Sequence, residues 1–197
     1  MSITVTYYRL PAAERESVTR DQPTWEQFRE RIQNAHFQSF HSAIAALQGF
    51  SGSQEERFAK LNSLLQESRD LRRFDMEKDW HIVGYLLTGR AEIVEEHREN
   101  DLLHSVIFGG HTTFVTTGYG AVRYYDARLV IQLADALRGA DRKIVSQRFD
   151  LAKMTELLIY ASPEESERDG VFSIFDEFTT FFRVAASVGD DIVKFAT

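Results

Sequence analysis

The chain has 197 residues, of which 43% are apolar and 27% are charged, so it can bury one substantial core and is not a disordered segment. Its formal net charge of −7 repels phosphate backbones, and acidic residues interrupt its densest basic stretch, residues 69–74, so we expect no nucleic-acid partner. The absence of cysteine excludes disulfides, thiol nucleophiles and thiolate metal sites.

The start of the chain, MSITVTYYRLPAAERE, lacks the basic and apolar regions of a signal peptide. No stretch approaches the roughly 18 uninterrupted apolar residues of a membrane-spanning helix. We therefore expect a cytoplasmic protein without a membrane partner, or one delivered by a route that needs no cleaved signal.

The first third of the sequence predicts one strand followed by helices. Ile3, Val5 and Tyr7 alternate with small polar residues, and this period of two predicts a half-buried strand. Thr24 followed three positions later by Gln27 has the spacing of a capping box, so a helix is expected to begin there. Apolar residues then recur at helical spacing on both sides of a GFSGS loop.

The middle third predicts one helix and three strands. DMEKDWHIVGYLLTG is expected to form a helix that Asp75 caps, that buries Trp80 and that ends at Gly89. LLHSVIF is predicted to be a strand, and Gly109 and Gly110 to turn the chain into a second strand, TTFVTT. GYG then turns the chain again, and AVRYY adds a short third strand.

The last third predicts further helices and a terminal strand. Asp126, Asp141 and Asp150 each stand where the N-cap of a helix belongs. VFSIFDEFTTFFRVAASVG carries a broad apolar face at helical spacing and ends at Gly189, and DIVKFAT follows as a strand. Together the elements predict a single α+β domain over residues 1–197, with a mainly antiparallel sheet packed against amphipathic helices.

Several blocks of the sequence resemble one bacterial family. Trp80 and His81 within DMEKDWHIVGYLLTG, then IFGG, GYGAVRYYDARLVIQLADAL, RFDLAKM and IY, occur in the order typical of the YfbM-like family, a domain of unknown function. The resemblance spans residues 75–197, with a weaker echo in TVTYYRLPAAE. It implies an α+β fold and brings no established activity, cofactor or catalytic residue. The helical segment at about residues 37–74 is longer than the family pattern and is interpreted as an insertion.

The sequence does not match the motifs for metal, phosphate or dinucleotide binding. His36 and His41 are separated by about 140° around a helix, and a predicted strand interrupts any helix that would align His97 with His104, so no metal site is expected. A phosphate-binding loop is absent, and GYGAVR has Arg123 where a dinucleotide fingerprint needs its third glycine. We expect no cofactor.

The polar residues nearest the turn glycines remain as candidates for a ligand site. The glycines themselves are explained by turn geometry, and a histidine at the edge of a core usually forms a structural hydrogen bond. The functional alternative gives His81 or His111 proton transfer and gives Arg123 an anion to hold. The candidate ligand-binding residues are His81, Gly109, Gly110, His111, Tyr119 and Arg123.

Two functions of different classes fit these observations. The first is a non-enzymatic protein-binding module, one form being an immunity-type protein that neutralises a basic toxin domain, because acidic surfaces speed association with cationic partners. The second is a small-molecule binder or an enzyme that uses a cleft near Gly109, His111 and Arg123. No catalytic residue is assigned.

Overall fold

The fold is taken from a computed structural model of the chain. Most of the predicted helical insertion lies outside the described residues, since only Ser53 and Glu56 of residues 37–71 are described. His36, His41 and His97 also lie outside them. The structure describes residues 3–11, 14–16, 23–32, 53, 56, 72–93, 98, 100–160 and 163–197.

One antiparallel sheet organises the described part of the chain. The strands lie side by side in the order β2-β1-β5-β4-β3, and each neighbouring pair is antiparallel. The C-terminal strand therefore lies at the centre, and β2 and β3 form the two edges. The predicted α+β class with a mainly antiparallel sheet is confirmed. The strands are β1 (Val5–Leu10), β2 (Arg73–Glu77), β3 (His111–Thr117), β4 (Gly120–Tyr125) and β5 (Asp191–Ala196).

A layer of helices buries one face of this sheet. The longest of the described helices packs Phe178 and Phe182 edge-on against Tyr7 of β1, with ring centroids 5.2 and 6.0 Å from the tyrosine ring. All three rings are fully buried, and burial of one such side chain contributes about 1.5–3 kcal/mol. The α-helices of this layer are α1 (Trp80–Thr88), α2 (Leu102–Phe108), α3 (Ala127–Arg138), α4 (Arg142–Gln147), α5 (Leu151–Glu156) and α6 (Arg168–Val188).

A smaller apolar cluster covers the opposite face of the sheet. Residues 25–32 are helical and place Phe28 and Ile32 in a cluster with apolar residues of β4 and β5. This helix begins with the predicted capping box: the Thr24 N–H donates to Gln27 Oε1 at 3.0 Å, and the Gln27 N–H donates to Thr24 Oγ1 at 3.4 Å. The described part of the sheet thus has helices on both faces.

The predicted aspartate caps are present at three helices of the larger layer. Asp126 accepts a backbone N–H bond at the start of α3, Asp141 at the start of α4 and Asp150 at the start of α5. Each carboxylate satisfies an N–H group that has no partner within its helix. Gly189 ends α6 in the left-handed conformation, with φ 74°, as expected of a glycine after a helix.

The predicted start of α1 is wrong. Residues 73–77 form strand β2, in which Phe74 and Met76 point inward, and α1 begins only at Trp80. Asp75 does not cap a helix; instead its carboxylate accepts a bond from Thr6 Oγ1 of β1 at 2.7 Å. Pairing with β1 outweighs the local helical pattern here, so Arg73 and Phe74, the last residues of the predicted helical insertion, lie in the sheet.

The predicted strand LLHSVIF is helix α2. Asp101 caps it by accepting the N–H of His104 at 3.1 Å, and Ser105 Oγ donates to the carbonyl of Arg98 at 3.0 Å. Residues 104–108 are all buried, and a short, fully buried apolar run has no periodicity that separates a strand from a helix. The cap decides in favour of the helix, so Gly109 and Gly110 join a helix to β3 rather than two strands.

Candidate functional site

Two cavities lie on opposite faces of the sheet beside β4. Consecutive strand residues point to opposite faces, so Tyr124 and Arg123 face opposite sides. Tyr124 is paired with His111 of β3, whereas Arg123 is paired with Lys194 of β5. The predicted site residues His111 and Arg123 therefore face opposite sides of the sheet and do not share one cleft.

The first cavity, the His111 groove, lies between the helical residues 25–32 and the strands β3 and β4. It has a volume of about 340 Å³. Phe114 stands in this groove with 82% of its surface exposed. The groove therefore offers an apolar contact surface with a few polar groups at its margin. Its lining includes Arg15, Phe28, His111, Phe114, Val115 and Tyr124.

Beside the His111 groove, a buried carboxylate gathers donors from three segments. Asp191 accepts bonds from Arg15 Nε and, at 2.6 Å, from the second Arg15 nitrogen. It also accepts the Tyr124 hydroxyl at 2.5 Å and the Ala127 N–H at the start of α3 at 2.7 Å. Burial and the bond to Asp191 raise the pKa of Tyr124 far above its usual range, so its phenol stays protonated and donates. These hydrogen bonds connect Arg15, Tyr124 of β4 and the start of α3 to Asp191 of β5, so the groups have a structural role.

His111 lies at the exposed edge of the groove. Its side chain is 57% exposed, and Nε2 lies 3.9 Å from Asp126 Oδ2. That separation exceeds a hydrogen bond, and an exposed ion pair of this kind contributes about 0–1 kcal/mol. More than half of the His111 side chain is thus in contact with solvent beside the groove.

His81 is a buried structural residue rather than one at the border of the core. Its Nδ1 accepts the Tyr160 N–H at 2.8 Å, so Nε2 carries the proton and donates to the Ala91 carbonyl at 2.9 Å. Burial lowers the pKa of His81, which favours the neutral ring that these two bonds require. The sequence-based structural alternative, a hydrogen bond to nearby backbone, describes what this ring does.

Gly109 and Gly110 lie where a side chain has no room. A Cβ atom on Gly109 would lie 2.7 Å from the Ser105 carbonyl oxygen, and one on Gly110 would lie 3.0 Å from the Tyr125 ring. Gly110 also has a φ of 94°, which L-amino acids rarely adopt. The carbonyl of Gly109 accepts the Tyr125 hydroxyl at 3.0 Å. The turn explanation of these two glycines is thus supported by close packing as well as by conformation.

The second cavity, the Lys194 pocket, lies on the face covered by the larger helical layer. It has a volume of about 240 Å³, and Tyr119 stands in its lining. The Lys194 ammonium donates to the Ile107 carbonyl at 2.6 Å. Arg123, on the same face, donates to Thr112 Oγ1 at 2.9 Å. The other lining residues include Trp80, Ile93, Phe108 and Ala121.

Sequence analysis missed Lys194. The signal was present in DIVKFAT, where a lysine interrupts an otherwise apolar terminal strand. A central strand with both faces covered buries all its residues, and Lys194 is only 4% exposed. A lysine at such a position carries a desolvation cost, which makes it a stronger candidate than an exposed histidine.

The comparisons with known proteins give the family. The family model described as "Domain of unknown function (DUF1877)" matches residues 1–195. The chain belongs to this family. The crystal structure of YfbM, a protein of unknown function from Escherichia coli, has a TM-score of 0.56 with 18% sequence identity, over 98% of this chain and 99% of that chain. No curated protein matches the chain.

The DUF1877 match confirms the YfbM-like resemblance and extends it. The sequence blocks were concentrated in residues 75–197, whereas the family model begins at residue 1. At 18% identity, the likeness to YfbM shows a shared fold and no more. In the described part of this DUF1877 chain, no group of three acidic or histidine side chains is placed to hold a metal ion. None of the described helices has both the length and the apolar composition needed to cross a membrane.

Proposed function

We propose that the protein is a non-enzymatic protein-binding module that docks a basic partner along the outer edge of β3. The observation that carries the proposal is Phe114, which is 82% exposed on this edge strand. None of the described strands pairs with the outer side of β3. Exposed strand edges and exposed aromatic side chains favour association, and an added strand from a partner satisfies both.

The charge of the chain selects the class of partner. A net charge of −7 attracts cationic proteins and speeds their encounter. One concrete form is an immunity-type protein that neutralises a basic toxin domain. The polar groups beside the His111 groove are bonded to one another, as Asp191 is to Arg15 and Tyr124, so the groove offers contact area. The cysteine-free composition fits a cytoplasmic location.

A comparative pull-down from the native host tests the proposal. The bait proteins are wild type, Phe114→Asp and the control Leu158→Asp, since Leu158 is 84% exposed and follows α5 in the larger helical layer, away from the edge of β3. We expect mass spectrometry to find a basic protein with wild type and with Leu158→Asp and to lose it with Phe114→Asp. With the purified partner, Phe114→Asp should weaken binding at least about tenfold, the scale of an aromatic hot spot. Equal capture by all three baits would contradict the proposal.

The second candidate is the small-molecule binder or enzyme expected near Gly109, His111 and Arg123, which would now use the His111 groove alone. Its support is the size of the His111 groove, about 340 Å³, because pockets for small ligands measure about 300–1,000 Å³. Since Arg123 faces the other side of the sheet, Arg15 would accompany His111 in such a site. Native mass spectrometry of protein purified from the host distinguishes the candidates: a retained small molecule that His111→Ala loses favours this one.

A further inference from the structure

A third cavity, the Trp25 cleft, lies over β2, β1 and β5, at the opposite end of the strand order from β3. Its volume is about 440 Å³, and sites for small molecules measure about 300–1,000 Å³. The helical residues 25–32 contribute Trp25 to this cleft and Phe28 to the His111 groove, so the two cavities are separate. The lining of the cleft includes Tyr8, Trp25, Arg73, Asp75, Glu77 and Phe195.

Aromatic rings form the apolar part of the cleft. The rings of Tyr8 and Phe195, on the neighbouring strands β1 and β5, are stacked with their centroids 5.7 Å apart. The Trp25 ring meets the Phe195 ring edge-on, with centroids 4.7 Å apart. Phe195 is buried, whereas Tyr8 and Trp25 are partly exposed. Because the rings pack against one another, they offer a preformed apolar surface to a ligand.

A carboxylate and a guanidinium line the cleft from β2. Asp75 Oδ1 accepts the Thr6 hydroxyl at 2.7 Å, and Asp75 Oδ2 lies 2.8 Å from Arg73 Nη2. The Arg73 guanidinium also lies over the Tyr8 ring, 5.7 Å from its centroid. The side chains of Asp75 and Arg73 are 37% and 50% exposed. A carboxylate can accept more than two hydrogen bonds and a guanidinium has several N–H donors, so this pair retains acceptors and donors for a ligand.

The backbone of β2 is irregular where it borders the cleft. Val5 pairs with Glu77 while its neighbour Thr6 pairs with Asp75, so the register shifts as it does at a β-bulge. Glu77 has a φ of 44°, which L-amino acids rarely adopt, and its exposed side chain lines the cleft. Bulges and strained residues concentrate at ligand sites, where they aim a side chain. The irregularity coincides with the two carboxylates of the cleft.

The charged side chains of the cleft balance one another. Among the described residues that line it, Arg29 and Arg73 equal Asp75 and Glu77 in number, so their side chains contribute no net charge. A charged ligand is both attracted and repelled by such a lining, which favours a neutral polar ligand. A pyranose sugar is a ligand of this kind. Its ring has a face of C–H groups, which matches the aromatic rings, and its hydroxyls both donate and accept, which matches the Arg73–Asp75 pair.

We propose that the Trp25 cleft binds a neutral pyranose sugar, with the C–H face of the sugar against Trp25 and Tyr8 and its hydroxyls hydrogen-bonded to Asp75 and Arg73. Hydrogen bonds from hydroxyls to a carboxylate are charge-assisted and therefore short and strong. The site lies over the β2 side of the sheet, whereas Phe114 lies on β3 at the other edge. The sugar site is therefore independent of the proposed protein docking.

Calorimetric titration of the full chain tests the class of ligand. The sugar probes are the methyl β-glycosides of glucose, galactose and mannose. The contrasting probes are glucose 6-phosphate, which is an anion, glucosamine, which is a cation, phenylalanine, which is a zwitterion, and adenosine. At least one methyl glycoside should bind with a Kd of about 1 mM or tighter, and more tightly than every contrasting probe. No binding of any methyl glycoside, or a contrasting probe that binds as tightly, would overturn the proposal.

NMR locates the bound sugar. The chain has two tryptophans, whose indole N–H signals are assigned with Trp25→Phe. Trp25 lines the cleft, whereas Trp80 lines the Lys194 pocket on the other face of the sheet. The methyl glycoside that binds should shift the Trp25 signal and leave the Trp80 signal in place. A Trp25 signal that does not move would place the sugar elsewhere and refute the proposal.

Matched variants test the polar contact. Asp75→Asn should weaken binding of the methyl glycoside about tenfold or more, because hydrogen bonds to a charged acceptor are replaced by bonds to a neutral one. Asp176→Asn removes a carboxylate from another exposed pair with an arginine, Arg142, on the helical side, and should leave binding unchanged. Equal affinity of Asp75→Asn and Asp176→Asn would contradict the proposal. Thermal melting confirms that both variants fold.

A second pair of variants tests the aromatic contact and does not depend on Asp75. Trp25→Phe keeps an aromatic ring and should retain part of the affinity for the methyl glycoside, whereas Trp25→Leu keeps only apolar bulk and should lose most of it. Equal affinities of Trp25→Leu and wild type would show that the ring does not contact the sugar. If Asp75→Asn does not fold, this pair and the probe order of wild type decide.

Discussion

The region around α1 and the hairpin formed by β3 and β4 use the same kinds of residue in opposite ways. In the α1 region, Trp80 is 6% exposed, and both ring nitrogens of His81 are bonded to backbone. On the hairpin, Phe114 is 82% exposed and the His111 side chain is 57% exposed. The first pair of residues is buried and bonded to backbone, whereas the second pair is largely exposed. Residues that stability does not require are the better candidates for binding.

Truncation of one aromatic residue in each region gives the largest expected contrast. Trp80→Ala should lower the free energy of unfolding by about 3–5 kcal/mol, since it removes a buried ring and its Nε1–H bond to the Ile3 carbonyl. Phe114→Ala should change stability by no more than about 0.5 kcal/mol because the ring is in solvent. Urea titrations of both variants measure the difference. Similar losses for the two variants would show that the regions do not differ in this way.

Two glycines of the hairpin sharpen the comparison at the level of the backbone. Gly120 has a φ of 131°, so Gly120→Ala should cost about 1–3 kcal/mol in strain. Gly118, two positions earlier, has no neighbouring atom within 4 Å of an added Cβ and no positive φ, so Gly118→Ala should be nearly neutral. Thermal melting of the two variants provides the measurement. An unchanged melting temperature of Gly120→Ala would mean that the hairpin backbone adjusts to alanine without losing stability.

Local signals predicted most of the fold; strand pairing explains the error at the start of α1, and burial without periodicity explains the error at α2. Helix caps such as Asp126 act through bonds two or three residues away, so the sequence reveals them directly. Whether Phe74 and Met76 belong to a helix or a strand depends on β1, which is about seventy residues distant in the chain. Residues 104–108 of α2 are all buried, so this run has no periodicity that separates a helix from a strand.

The candidate site was less predictable because it depends on which face each strand presents. His111 and Arg123 are close in sequence, yet the register of β3 and β4 sends them to opposite faces. Lys194 joins the residues near Gly109 only through the chain reversal that returns β5 to the centre of the sheet. No residue spacing in the sequence predicts that Lys194 lies close to the residues near Gly109. The local signal is a lysine within an otherwise apolar strand.

The pH dependence of stability gives the smallest effect and compares the two histidines directly. Burial lowers the pKa of His81 in the folded protein, whereas an unfolded histidine titrates near its ordinary pKa of about 6.5. Between these two values the unfolded chain binds a proton that folded His81 does not bind. Stability should therefore fall as the pH drops below about 6.5, by at most about 1.4 kcal/mol per pH unit, and level off below the folded pKa.

The chain has six histidines. A pair of variants separates the effect of His81 on the pH dependence of stability from the effects of the other five. His81→Asn removes the buried ring, so the difference in unfolding free energy between wild type and this variant should shrink as the pH falls from 7.5 to 5. His111→Asn removes an exposed ring. The loss of stability at low pH that His81 causes should remain in this variant, because the hydrogen bonds of His81 go to Ala91 and Tyr160 and not to the hairpin. Protonation of Nδ1 would break the bond from the Tyr160 N–H, which is why the folded state resists it. If the difference in unfolding free energy between wild type and His81→Asn stays constant with pH, His81 accepts a proton without unfolding. The comparison of the two regions would then rest on burial and packing alone.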